Sequence, residues 1–278
     1  MTDARRILWS AALKGAAGLV FAFMLLPLVL VIWLSFFRGE IIVFPPEGYS
    51  LRWFASILDK PQFVDGFVTS LQVGLFATLG GLVLGIPASF ALARHSFRGH
   101  EMLNTVLLLP LVVPGIVIGT SLYIYFVELE IYTSEHQLGF ELQMNASLPG
   151  LALAHIMITI PWVVKLIVAN LAGVKREIEE AALTLGANRW QTLTRVTLPL
   201  IRPGVVAAAL FSFVVSFSNL EISLFLVGPG RMTLPIAIMQ YLEWKLDPTI
   251  AAVSVIQIAI VAAGMLITDR FVRLSQVV

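Results

Sequence analysis

Inside an apolar run, an acid is the residue type in this chain best placed to do chemistry. Glu221 lies in the run 203–227, with Ser218 and Asn219 beside it. A carboxylate in a bilayer is expensive and normally faces a bundle interior or a water-filled cavity, where it can meet a cation or a polar network. Lys165, in the run 149–172, is the obvious counter-charge. At about 1.5 Å of rise per residue, Lys165 lies roughly 24 Å from the end of its run remote from the basic loops, and Glu221 only about 9 Å. That leaves about 15 Å between them along the membrane normal. A direct pair is not expected, and Lys165 should snorkel toward the nearer surface. Three roles stay open for Glu221: lining a solute pathway, pairing with a second subunit, or joining Ser216, Ser218 and Asn219 in a structural network.

Other chemistry is thinly represented. The sequence contains no G-x-x-x-x-G-K-[ST], so the chain itself has no P-loop with which to cradle ATP. Neither H-E-x-x-H nor G-x-S-x-G occurs, and no carboxylate pair is clustered within a span. His95 and His100 fall in a short polar loop and are expected to be solvated. His155 falls in an apolar run, where a packed, hydrogen-bonded role outweighs metal ligation. With no cysteine there is no disulfide or thiolate site. A non-catalytic protein is expected, without a metal site.

The elements that must position these residues are membrane spans. The chain has 278 residues, 58% hydrophobic and 13% charged, against about 25% charged in a soluble domain. Its net charge of +1 gives no case for nucleic acid. Six runs reach the ~20 residues that cross a bilayer: 15–37, 67–93, 103–127, 149–172, 203–227 and 249–269. The first lacks a small-residue cleavage site and is expected to stay as an anchor.

Six spans put both termini on one side. Twelve basic residues, including Arg5, Arg6, Arg94, Arg176, Arg270 and Arg273, fall on that side, and five on the other. The positive-inside rule then puts both termini in the cytoplasm. The opposite side is acidic, from Glu40 through Glu141 to Asp247. On it, residues 38–65 hold Trp53 and Phe54, which suit an interfacial helix or a platform for an external protein. Gly81/Gly85 and Gly115/Gly119 each form G-x-x-x-G, which lets helices approach closely within one bundle or between subunits. Pro87, Pro110, Pro114 and Pro161 should kink or interrupt their helices.

The longest polar break, Glu180 to Pro199, is EAALTLGANRWQTLTRVTLP. Its Ala, Leu and Glu favour helix, and Gly186 permits a turn between two short pieces. Ala181, Ala182 and Leu185 recur at helical spacing and form a small apolar face. A lone stretch of this kind would also suit a helix lying in the headgroup region. The fixed spacing goes further. Glu180-Ala181-Ala182, Gly186 four residues beyond Ala182, then nine residues to Val196-Thr197-Leu198-Pro199, resembles the EAA loop of permease subunits of binding-protein-dependent ABC importers. The departure is Val196, where isoleucine is usual.

The resemblance covers about residues 66–270 and implies an all-α, six-span, MetI-like type I ABC importer permease in the bacterial inner membrane. Its expected parts are a cytoplasmic N-terminus (1–14), a first helix (15–37), an external loop (38–65), the permease domain (66–270) with its cytoplasmic loop at 173–202, and a tail (271–278). The loop would dock a separate ATPase through Glu180, Ala181, Ala182, Leu185 and Gly186. Implied partners are a second permease subunit, two cytoplasmic ATPase subunits, an external solute-binding protein and membrane lipid. ATP and Mg would be used by the ATPase, and no cofactor would be bound directly.

Spans five and six look like the spermidine/putrescine-type group, on Phe217, Ile222-Ser223, Phe225, Gly228-Pro229-Gly230, Thr233-Leu234-Pro235, Pro248 and Ala251-Ala252. That group often carries acids directly after the phenylalanine. Here Ser218-Asn219 stand there and the acid is displaced to Glu221, which weakens the case for a polycation. The implied solute is a polyamine or an amino-acid-like molecule, with Ser218, Asn219 and Glu221 as candidate pathway residues. A rival reading, an ion-driven secondary transporter with Glu221 as its ion site, would need internal repeats, and none is evident between residues 1–139 and 140–278.

Overall fold

The computed structural model describes residues 3–136, 142–228 and 230–272. Glu141, Pro229, Arg273 and the tail beyond Val272 lie outside the described residues, as do the side chains of Arg5, Arg6 and Arg270. The described chain is helical: α1 (Asp3–Leu34), α2 (Arg52–Ser56), α3 (Pro61–Arg94), α4 (His100–Leu108), α5 (Gly115–Glu135), α6 (Leu148–Ala172), α7 (Arg176–Thr184), α8 (Arg189–Thr192), α9 (Leu198–Leu200), α10 (Arg202–Phe217), α11 (Ser223–Leu226), α12 (Leu234–Trp244) and α13 (Thr249–Val272). Among the described residues, five helices are long and apolar enough to cross a membrane, and a sixth span arises if Arg189–Leu200 and Arg202–Phe217, bent by 73°, count together.

Two of the expected runs are broken. Run 103–127 is interrupted because Leu109–Leu111 tightens into a 3₁₀ turn and Pro114 caps a new helix rather than continuing the old one. The long helix there is α5, which continues to Glu135, past the apolar run. Run 203–227 stops being helical at Ser218 and resumes at Ser223.

The chain divides into two compact units. One comprises 1–61 and 240–259, the other 62–239 and 260–278.

In the first unit the segment after α1 folds around Phe37, which is buried. Trp33, Phe44 and Tyr49 ring it with centroids 5.3 to 6.3 Å away, and Trp53 Nε1 donates to its carbonyl at 2.6 Å. Trp53 is only 5% exposed. The interfacial role expected of it gives way to a packing role, because its indole N–H has an internal acceptor.

Around the start of α13 the same unit holds a polar cluster. Buried Asp247 accepts from Tyr241 Oη at 2.7 Å and from the Thr249 amide at 2.9 Å, and pairs with Lys245 at 3.3 Å. Lys60 Nζ donates to Thr249 Oγ1 at 2.9 Å and sits 5.1 Å from the Tyr241 ring centroid. Burial pulls the Asp247 pKa upward, but hydrogen bonds from Thr249, Tyr241 and Lys245 outweigh it and hold the group below its ordinary 3.8. Burial, reinforced by the bond to Asp247, pushes Tyr241 up to about 12. Burial lowers Lys60.

In the second unit α6 is central. Its residues Val163, Ile167 and Leu171 join Ile201 and Ala208 in one core cluster. Leu151, Ala154 and Ile158 join Val73, Ile118, Ile222 and Leu226 in another. Small residues set the spacing: a Cβ on Gly85 would come within 2.6 Å of Val163 Cγ1, and one on Gly81 within 2.7 Å of Thr159 Oγ1. The first G-x-x-x-G therefore packs α3 on α6 within the chain. The second packs α5 on residues 221–225, where a Cβ on Gly119 would sit 2.7 Å from the Phe225 ring.

Candidate functional site

The polar loop is built as a sharp corner. Helix α7 ends in a Schellman motif: the Ala187 amide donates to Ala182 O at 3.1 Å and the Gly186 amide to Leu183 O at 3.0 Å. Gly186 closes it at φ +91°, a left-handed conformation that glycine adopts without penalty. Helix α8 starts with a reciprocal capping box between Asn188 and Gln191. Residues Leu193–Thr197 then form a π-helical turn leading to Pro199.

At this corner Leu185 is 89% exposed and Trp190 71%. Glu180, Ala181 and Gly186 are also exposed, while Ala182 is half-buried. The apolar face expected from Ala181, Ala182 and Leu185 is thus split, with Ala182 turned inward. Trp190, which spacing did not single out, supplies the second exposed knob. An aromatic in a polar stretch was the available signal.

The adjacent acid faces the other way. Glu179 pairs with Arg94, the last residue of α3, at 3.1 Å, and the two side chains are 15% and 14% exposed. Among the described residues the Glu180 carboxylate pairs with Arg176 alone, at 3.7 Å, with both side chains more than 60% exposed. Thr197 Oγ1 also donates to Glu179 at 3.1 Å. A cavity of about 480 Å³, lined by Phe90, Arg94, Glu179, Glu180, Leu183 and Thr197 among others, lies beside this pair.

The second candidate region is the break after α10. Asn219 Oδ1 accepts the Ile222 amide at 3.0 Å, and its carbonyl accepts Ser223 Oγ at 2.9 Å. Asn219 is therefore spent on shaping the turn. Ser218 is exposed, with its hydroxyl returned to Val214 O at 2.6 Å. Glu221 is exposed and has no hydrogen bond or ion pair among the described residues. Its carboxylate lies over Gly115, the first residue of α5, where an added Cβ would collide with it. Lys165 is exposed and does not pair with it.

Behind the break sits His155, 1% exposed. Its Nδ1 lies 2.8 Å from Ser216 Oγ and its Nε2 3.2 Å from Ser223 Oγ. Ser223 spends its proton on Asn219, so it must accept from Nε2–H, and Nδ1 accepts from Ser216. The imidazole thereby staples the end of α10 to the start of α11. His155 is a packed structural residue, as its position in an apolar run implied.

Residues 81–276, more than two thirds of the chain, match the family described as "Binding-protein-dependent transport system inner membrane component". The chain is 29% identical over 235 residues to the putrescine transport system permease protein PotI of Escherichia coli K12, covering 84% of this chain and 81% of PotI. It is 28% identical over 275 residues to a Salmonella paratyphi A protein provisionally named as the 2-aminoethylphosphonate transport system permease protein PhnV, covering 96% and 98%. Its fold matches that of a bacterial alginate ABC transporter chain, solved in complex with an alginate pentasaccharide-bound periplasmic protein, with a TM-score of 0.75 at 17% identity and 96% and 95% coverage.

Proposed function

The chain belongs to the binding-protein-dependent transport system inner membrane component family, a multi-pass, non-catalytic permease subunit of bacterial ABC importers, and from that premise we propose that it couples a separate ATPase to solute passage through the exposed corner at Gly186. In this reading Glu180, Ala181, Ala182, Leu185 and Gly186 form the coupling surface of a cytoplasmic loop at 173–202, within a permease domain spanning 66–270. Two ATPase subunits bind ATP and Mg, and this chain holds neither. A second permease subunit completes the pathway, and an external binding protein delivers the solute to the face carrying residues 38–65. Family membership sets aside the ion-driven alternative.

The observation that carries the proposal is the corner itself. A locked Schellman turn presents an almost fully exposed leucine beside an exposed tryptophan, and exposed apolar knobs on a rigid polar loop mark a protein contact. The solute is a small molecule bearing a primary ammonium group, the chemistry common to the solutes for which the two relatives are named. Glu221 receives that group at the break, and one acid, displaced from the place after the phenylalanine, suits a single ammonium better than a polycation. Ser218 lines the route, and Asn219 shapes it.

Co-purification of the ATPase tests the coupling surface. Gly186→Val forces a β-branched residue into the left-handed region, at a cost of roughly 1–2 kcal/mol, and should shed the ATPase. Gly186→Asn, which tolerates that region, should retain much more. Full retention and full uptake in Gly186→Val would sink the proposal.

A further inference from the structure

We infer that Arg94 and Glu179 form the joint through which the polar loop moves the membrane helices, so that α3 and α7 travel as one body. This rests on the docking role proposed for the loop but concerns residues that face away from the docking surface.

Arg94 ends a 34-residue helix, and its guanidinium serves two other elements at once. Nε and Nη2 approach Glu179 Oε1 at 3.2 and 3.1 Å, and Nη2 also donates to the Val174 carbonyl just beyond α6 at 3.1 Å. Through Thr197 Oγ1 the same carboxylate reaches the π-helical turn ahead of α10. One ion pair thus ties together the ends of α3 and α6, helix α7 and the approach to α10. Low exposure protects it from the screening that makes surface pairs weak, and the planar fork fixes its geometry. The Arg176–Glu180 pair, loose and exposed, has neither property. A force applied to α7 at the exposed corner therefore reaches α3 through a stiff contact.

The absence of cysteine makes a direct test simple. Spin labels are placed at Leu84→Cys, on an exposed site of α3, and Glu177→Cys, on an exposed site of α7, in the full importer complex reconstituted in lipid. The label-to-label distance is measured with and without ATP. With Arg94 and Glu179 intact, the distance should be single, narrow and unchanged by ATP. Arg94→Gln or Glu179→Gln should broaden it and make it shift on ATP addition. Arg94→Lys, which keeps the charge but loses the fork, should fall between. Thr197→Val should give a smaller broadening of the same kind, and it serves where the charge variants fail to fold. A distance that shifts with ATP in the intact protein, or one that stays narrow and fixed in both glutamine variants, overturns the joint. Failure of the ATPase to co-purify with the intact protein overturns the docking role beneath it.

Discussion

Glu221 stands at the opening of a broken span with its carboxylate over a helix start and no partner of its own among the described residues. A charge-assisted hydrogen bond contributes about 1.5–3 kcal/mol, so Glu221→Gln should lower uptake of a labelled solute with one primary ammonium group, such as 2-aminoethylphosphonate, by about tenfold or more. ATPase co-purification should be unchanged. Equal loss of assembly and uptake would place the residue in a structural role instead. Gly115→Ala should mimic part of this effect, because its methyl group claims the space of the carboxylate.

His155 is tested by stability. His155→Leu leaves the buried Ser216 hydroxyl without its partner, at a cost of about 1–3 kcal/mol, which should lower the thermal midpoint in detergent. Adding Ser216→Ala should recover part of the loss. An unshifted midpoint in His155→Leu would refute the staple. At this scale the sequence was partly legible. An acid in an apolar run marks Glu221, but the contact with Gly115 joins residues far apart in sequence, and no local pattern encodes it. Glu179 escaped notice because one step along a helix turns a side chain by about 100°, enough to separate an outward acid from an inward one.

Helices and loops were legible wherever composition and break-forming residues agreed. Gly186 turns the polar stretch that runs from Glu180 to Pro199, with a short helix on either side of it. The third span was misplaced because hydropathy does not register that Pro114 starts a helix, nor that α5 can carry Glu128, Glu130 and Glu135 beyond the oily run. The break at Ser218–Ile222 was invisible for a related reason: Asn219 and Ser223 satisfy the backbone locally, and residues of that type occur in intact spans as well. The polar cluster at the start of α13 was equally hidden, since Lys60 comes from a distant segment and the other four residues meet only through the turn between α12 and α13, and it makes a pH prediction. Tyr241 has a folded value of about 12 against an ordinary 10.0, so its neutral form is favoured in the folded state. Its contribution is fully present below pH 10 and is lost as pH rises toward 12. Asp247 is held below 3.8, so its contribution is present above that value and is lost as pH falls through its lowered one. Tyr241→Phe should flatten the alkaline loss of stability between pH 10 and 12, read by thermal unfolding across that window. An unchanged alkaline profile would show that the phenol is not the titrating group.

For the molecule as a whole, the sign of its loops relative to the membrane decides whether the coupling reading can hold at all. With six spans, basic residues outnumber their counterparts twelve to five on the side expected to carry both termini and residues 173–202. Lys and Arg are retained on the cytoplasmic side during insertion. A docking surface for a cytoplasmic ATPase must lie on that side. Two exposed side chains test the expected sidedness: Leu185 at 89% and Trp244 at 88%. The chain contains no cysteine, so Leu185→Cys and Trp244→Cys each create a unique thiol. A membrane-impermeant thiol reagent should label Trp244→Cys in right-side-out vesicles and leave Leu185→Cys untouched, with the pattern reversed in inside-out vesicles. Adding the ATPase should then shield Leu185→Cys, because a knob seated in a partner's groove is withdrawn from solvent. Labelling of Leu185→Cys from the outer face would put the corner beyond reach of any cytoplasmic motor, and every functional role assigned to residues 173–202 would fall with it.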